Sequence, residues 1–170
     1  VHDSSQVGTA KVDSAKLTVG RLNPHVALET HNCRLTADNA LDIISRYDIV
    51  ADGSDNFTTR YLTSDACYLA KRTLVFAAVG PLDGYVTVFK PHLTNENGEP
   101  WPSYRCIFPE APPPGTVAPC SEIGVLGSVV GVIGTLQATE VLKEILEIGE
   151  TLAGRLMIYD ALSARFETVN

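Results

Sequence analysis

Basic residues are in short supply, with 13 Lys and Arg against 20 Asp and Glu and a formal net charge of -7 over 170 residues. That balance leaves no electrostatic footprint for nucleic acid or for an anionic membrane surface, so neither is expected as a partner. Long apolar runs are missing as well. The longest, around Leu74 to Val79 and Val125 to Leu136, are too short or too broken by glycine to cross a bilayer. No basic stretch followed by an apolar one opens the chain as a secretory signal would. Cysteine is scarce, with 4 widely spaced thiols, and 45% hydrophobic residues can build a core without the disulfide framework of a small secreted scaffold. These absences point to a soluble, cytoplasmic protein with reduced thiols, organised as one folded unit.

What is present is an alternation of helical and strand patterning. Ala10, Ala15, Leu17 and Leu22 recur at helical intervals between Thr9 and Leu22, and Asn23-Pro24 supplies the stop, because proline pushes the residue before it out of the α region. Val26, Leu28 and Thr30 alternate as a short strand does, Asn39 to Arg46 reads as a helix, and Asp48 to Asp52 as a buried strand. Asn56 to Lys71 carries an apolar helical face, Thr73 to Val79 is a continuous apolar strand suited to the centre of a parallel sheet, and Gly84 to Phe89 alternates as another strand. From 91 to 119 the composition turns to Pro, Gly, Asn and Glu, which predicts a long irregular loop of the kind that carries function. A long helix begins near Val129 and ends near Gly149, a suitable C-cap, and two strands, Leu156 to Asp160 and Phe166 to Val169, come after it. That order predicts an α/β fold with an open, mainly parallel Rossmann-like sheet and helices on both faces.

Two segments carry candidate chemistry. Asp52 and Asp55 straddle the C-terminal end of a predicted strand, where open α/β sheets bind their ligands. Magnesium needs only one or two carboxylates beside phosphate and water, so Asp55 alone is sufficient; its plainer role is to cap the helix that begins near Asn56. Cys120 lies in a loop leading to Gly124, Gly127, Gly131 and Gly134, which allow the backbone to approach a bulky substrate closely. The plainer reading there is a buried, inert thiol, the reading also given to Cys33 and Cys67. Cys106 is half of a C-x-x-C pair, because Ser103 stands where the second thiol belongs; serine is a poor zinc ligand, and His92 reads as a solvent-facing loop residue. Lys11 and Arg60 are candidate phosphate contacts, with a solvated helix face as the alternative for each.

Taken together these segments resemble the ThiF/MoeB/HesA family of E1-like activating enzymes, closest to its MoeB and Uba4/MOCS3 branch. The matching text is Val7-Gly8-x-x-Lys11, Leu22-Asn23-Pro24, Asp52-x-x-Asp55-Asn56 with Thr59-Arg60, Tyr104-Arg105-Cys106-Ile107-Phe108-Pro109, Cys120-x-Glu122-x-Gly124-Val125-Leu126-Gly127 and Gly134-x-Leu136-Gln137-Ala138-x-Glu140. The resemblance implies an enzyme that uses Mg-ATP to adenylate the C-terminal glycine of a ubiquitin-like sulfur carrier ending in Gly-Gly, for molybdopterin, thiamine or tRNA thiolation. It implies a homodimer. Asp55 would bind the magnesium on ATP, Lys11, Asn56 and Arg60 would line the nucleotide site, and Cys120 would take the activated carrier covalently or be dispensable, depending on the branch. The stretch from 91 to 119 would be a crossover loop near the active site.

The departures carry expectations of their own. The family's Gly-x-Gly-x-x-Gly turn and its Asn-x-x-Arg-Gln segment would precede Val1, so the chain is expected to be an N-terminally incomplete copy of one ThiF-type domain and a weak ATP binder alone. The family's zinc site uses two C-x-x-C pairs, of which only Cys106 is found, so Zn2+ is not expected. The competing reading is a catalytically inactive module that keeps carrier-binding and dimerisation surfaces. A Rossmann-type oxidoreductase is weaker, because the dinucleotide fingerprint is absent.

Overall fold

The computed structural model describes residues 2–113, Thr116 and 123–170. Two compact units divide the chain, Val1–Leu35 and Thr36–Asn170.

In the first unit, Asp3 caps a 3-10 turn at Ser4–Gln6 through a reciprocal capping box with Gln6. Helix α1 comes next, at Lys11–Leu22. Its buried Ser14 ties it to the turn, donating to Gln6 Oε1 at 2.5 Å and pairing with His2 Nδ1 at 2.7 Å. The helix ends as Asn23-Pro24 requires, with the Asn23 N–H reaching back to the Val19 carbonyl. The strand expected at Val26, Leu28 and Thr30 is not formed. Alternation favours a strand only when a neighbour offers a ladder, and among the described residues this run has none.

The second unit holds α2 (Ala40–Ile44), β1 (Ile49–Asp52), α3 (Phe57–Ala70), β2 (Thr73–Val79), β3 (Asp83–Phe89), α4 (Tyr104–Ile107), α5 (Gly127–Leu146), β4 (Leu156–Asp160) and β5 (Arg165–Val169). The strands form one open sheet in the order β1-β2-β3-β4-β5. The α/β architecture is as expected, but the sheet is mixed rather than mainly parallel. Among the described strands only β1 and β2 run parallel, joined by the α3 crossover, while β2–β3, β3–β4 and β4–β5 are antiparallel. For β2–β3 and β4–β5 the physical reason lies in the connections: residues 80–82 and 161–164 are too short to cross over, and short loops between adjacent strands make hairpins.

Alternation along the strands separates two faces. Val75, Ala77, Val86 and Val88 pack with Val129 and Ile133 of α5 and with Leu152 and Ala153. Phe76 and Phe89 meet the ring of Tyr104 at 5.1 and 5.9 Å, and Tyr61 of α3 and Phe108 join at 5.0 and 4.9 Å. Tyr104 is only 1% exposed. The segment read as an irregular loop therefore contributes the central side chain of the second face. Helix α5 runs from Gly127 to Leu146 and stops three residues before the expected glycine, because Glu147 takes the left-handed cap at φ 53.

Close docking of α5 depends on Gly84 of β3. A Cβ there would stand 2.4 Å from Ile133 Cγ1. Gly84→Ala is expected to cost about 1–3 kcal/mol in urea denaturation, the usual penalty for overpacking. A loss within a few tenths of a kcal/mol would mean that α5 shifts outward freely.

Candidate functional site

The loop after β1 is shaped by side chains that bond to nearby backbone. Asp52 Oδ1 accepts from the Ser54 N–H at 2.8 Å, an Asx turn that folds the chain sharply at the strand end. Asn56 is the N-cap of α3, its Oδ1 accepting from the Thr59 N–H at 2.8 Å. The cap is thus Asn56, and the plainer reading of Asp55 as cap does not hold. Asp55 is exposed, and its Oδ1 accepts from the Asn56 side-chain amide at 3.2 Å. Arg60, one turn into α3, donates from Nε and Nη2 to the Ser54 carbonyl at 3.3 and 3.2 Å. Its guanidinium also lies over the rings of Phe57 and Phe76 at 5.2 and 5.9 Å. Aromatic faces on one side and a carbonyl on the other hold that cation in place.

Beside this loop is a cleft of about 130 Å³ at the C-terminal ends of β1 and β2. Asp55 and Arg60 form its polar end, and Val79, Val130 and Ile133 are among its apolar walls. Gln137 of α5 closes the wall between them, donating from Nε2 to the carbonyls of Asp52 at 2.8 Å and Val75 at 3.0 Å. The position matches the crevice where open sheets bind ligands.

Asp55, Asn56 and Arg60 are therefore brought together. Lys11 is the exposed first residue of α1 in the N-terminal unit. Cys120 lies outside the described residues. Asp52 does not share the fate of Asp55: it is 6% exposed, and its Oδ2 is buried with no hydrogen-bond partner. Sequence reasoning gave Gln137 no role of its own; the available signal was one amide in a helix face otherwise built of small and apolar residues.

The described thiols differ. Cys67 is buried on α3, and burial, reinforced by the charge of Asp52, pushes its pKa up to about 12. Cys33 is exposed, unlike the buried thiol expected there. Cys106 is exposed in α4, its Sγ 3.4 Å from both the backbone nitrogen and the hydroxyl of Ser103. That pair makes a capping box with one thiol and one hydroxyl, a donor set that does not fit tetrahedral zinc. Among the described residues no group of three or more His, Cys, Asp or Glu could hold a metal. His92 is half-buried rather than solvent-facing, its Nδ1 is enclosed without a partner, and its pKa is lowered by burial and then by Lys90, Arg72 and Lys71.

The fold places the molecule before the family does. E. coli MccB with AMPCPP and selenomethionine MccA superposes at a TM-score of 0.79 with 15% identity, covering 99% of this chain and 50% of that one. PaaA gives 0.69, also at 15% identity, with 99% and 50% covered. These likenesses fix the class as the open α/β fold of those proteins. The ThiF family model matches residues 1–170, and the chain belongs to the ThiF family.

Among curated relatives, the sulfur carrier protein adenylyltransferase of Thermus thermophilus is 48% identical over 166 residues, 98% of this chain and 60% of that protein. The adenylyltransferase and sulfurtransferase MOCS3 of Culex quinquefasciatus is 45% identical over 169 residues, 99% of this chain and 37% of that protein. The SAMP-activating enzyme E1 of Haloferax volcanii is 44% identical over 169 residues, 99% of this chain and 60% of that protein. The chain thus spans between 37% and 60% of the length of these relatives.

The environments of the thiols predict an order of reactivity. At pH 8, Cys33 and Cys106 are expected to react with a small disulfide reagent in the native protein and Cys67 only after unfolding; labelling of native Cys67 at the same rate would contradict the burial. The ordinary value is 9.0 and the folded value about 12, so the unfolded chain loses this proton first. The thiol's contribution to stability is complete below about pH 9 and is lost as pH rises towards about 12.

Proposed function

We propose that this chain is part of an ATP-dependent adenylyltransferase that activates the C-terminal glycine of a ubiquitin-like sulfur carrier ending in Gly-Gly. Such activation would serve thiocarboxylate formation for molybdopterin, thiamine or tRNA thiolation, in the cytoplasm. The observation that carries the reading is Asp55: an exposed carboxylate freed from capping by Asn56, at the strand-end cleft, beside a braced arginine. The names borne by the relatives point the same way.

In this reading the carrier's terminal carboxylate oxygen attacks the α-phosphorus of ATP and pyrophosphate leaves. A lone exposed Asp beside phosphate oxygens suits magnesium, so Asp55 is the residue that would hold it. When bound, magnesium neutralises charge on the phosphates. Asn56 fixes the Asp55 carboxylate by its amide, and Arg60 keeps a positive charge at the polar end of the cleft while its Ser54 contact sets the loop. Lys11 would add a second positive charge as pyrophosphate departs. Cys120 would then attack the carbonyl carbon of the acyl-adenylate, releasing AMP. No step runs through zinc.

We also assign a homodimer to the full protein. The support is the outer face of α5, where Leu142 and Leu146 are exposed and the hydroxyls of Thr135 and Thr139 turn back to the carbonyls of Gly131 and Thr135. On that face the hydroxyl protons of Thr135 and Thr139 are satisfied within the helix, which lowers the cost of covering it.

The test is ATP–pyrophosphate exchange stimulated by a carrier ending in Gly-Gly, run on this chain and on a longer form carrying the segments its relatives possess. Exchange by the longer form is expected, and Asp55→Ala should reduce it by about 10²–10³-fold, as loss of a charge-stabilising group in a site commonly does. No exchange by the longer wild-type form would replace this reading with that of an inactive carrier-binding module.

A further inference from the structure

We propose that Gln137 is a positioning residue for the loop that carries Asp55. Asp52 is the last residue of β1, where the register with β2 ends at Phe76, so its carbonyl stands at the frayed end of the ladder. The Gln137 amide nitrogen bonds that carbonyl and the Val75 carbonyl of β2 together. One amide nitrogen has two hydrogens, and both are used. With both bonds made, the side chain bridges the two strands and sets the gap between them at the point where the chain leaves the sheet.

The loop beyond β1 is held at a second point. Arg60 grips the Ser54 carbonyl two residues further on, from α3. Between Gln137 and Arg60 the backbone from Asp52 to Ser54 has little freedom, and Asp55 is the next residue. The two clamps are not equivalent. Arg60 belongs to the helix that the loop itself begins, whereas Gln137 reaches across 85 residues from α5 and ties the loop to the rest of the core. Helix α5 does not need Gln137 for its own docking, because Val129 and Ile133 are buried in the core and Glu140 Oε2 accepts from the Leu152 N–H at 2.8 Å. The amide adds an anchor for the strand ends and for the loop that leaves them.

The experiment has two arms. The first needs no catalysis and uses this chain: amide hydrogen exchange by NMR on wild type, Gln137→Met, which keeps length and removes the donors, and Gln137→Glu, whose carboxylate would face two carbonyls. The Ser54 amide is expected to exchange about tenfold faster in Gln137→Met and faster still in Gln137→Glu, with Val86 and Val88 of β3 unchanged, as a local opening requires. Unchanged exchange at Ser54, or equal acceleration at Ser54, Val86 and Val88, would overturn the proposal, the latter making Gln137 a general stabiliser.

The second arm rests on the adenylation reading and uses the longer form. Gln137→Met is expected to raise severalfold the magnesium concentration for half-maximal exchange and leave the KM for carrier unaltered; an unaltered magnesium midpoint would overturn the link to Asp55. If the longer wild-type form catalyses no exchange, the adenylation reading fails and the first arm still decides whether Gln137 positions the loop.

Discussion

The register of β1 against β2 is the constraint on which the rest of the described site depends. Ile49 faces Thr73 and Asp52 faces Phe76, which sends alternate residues of both strands to opposite faces. β2 is also paired with β3, so a slip of one residue would turn β1 over against it and move Ile49 from the α5 core to the opposite face. It would also carry the Asp52 side chain to the other face. Two differently built cores, one of branched aliphatic residues under α5 and one of aromatic rings around Tyr104, make such a slip costly on both sides at once.

The same strand end shows how two carboxylates three residues apart acquire separate tasks. Asp52 is turned inward, where Oδ1 makes the turn and Oδ2 is enclosed. A buried carboxylate oxygen without a partner is expensive, of the order of 1–3 kcal/mol or more, and is retained where the turn it makes has value. Asp55 is turned outward and left with a single amide donor. A carboxylate already surrounded by protein donors competes poorly for a cation, so the sparse bonding of Asp55 is what leaves it suited to one. Asn56 makes this division possible by supplying the cap that Asp55 would otherwise supply.

Much of this was legible in the sequence, and the failures have physical causes. β2 is found from Thr73 to Val79 as read, and α3 within one residue of the reading at each end, because a continuous apolar run and a capped amphipathic helix are local signals. The false strand at Val26 to Thr30 had the right period and, among the described residues, no neighbour to pair with. The sheet was read as mainly parallel because helices alternate with strands early in the chain; the later strands lie in hairpins whose short turns decide direction. Tyr104 was hidden because its surroundings, Pro102, Ser103 and Arg105, speak of a loop, while its burial depends on Phe76 and Phe89 far away in sequence. At the site, Asp55, Asn56 and Arg60 were visible as residue types. That Asn56 rather than Asp55 caps α3 was not, since both residues favour caps and only geometry separates them.

Helix α5 explains how a cleft with a polar end can stand so close to an apolar core. Its middle turns dock by shape, with Ile133 against Gly84, and shape alone permits small rotations. Its second half is fixed by polar contacts in sequence: Glu140 with the Leu152 N–H and with Lys143, Lys143 with the Glu150 carbonyl at 2.6 Å, and Glu144 with Lys90 at 2.8 Å. The Lys90–Glu144 side chains are only 15% and 10% exposed, and a pair so enclosed adds little net stability after desolvation. Its value lies in direction, because an ion pair and a carboxylate on a backbone N–H are satisfied at one rotation of the helix and unsatisfied at others. Rotation set between Glu140 and Glu144 is inherited by the turns before them, where Gln137 meets the strand ends and Val130 and Ile133 face the cleft. The geometry of the cleft is therefore decided partly by residues that never touch it.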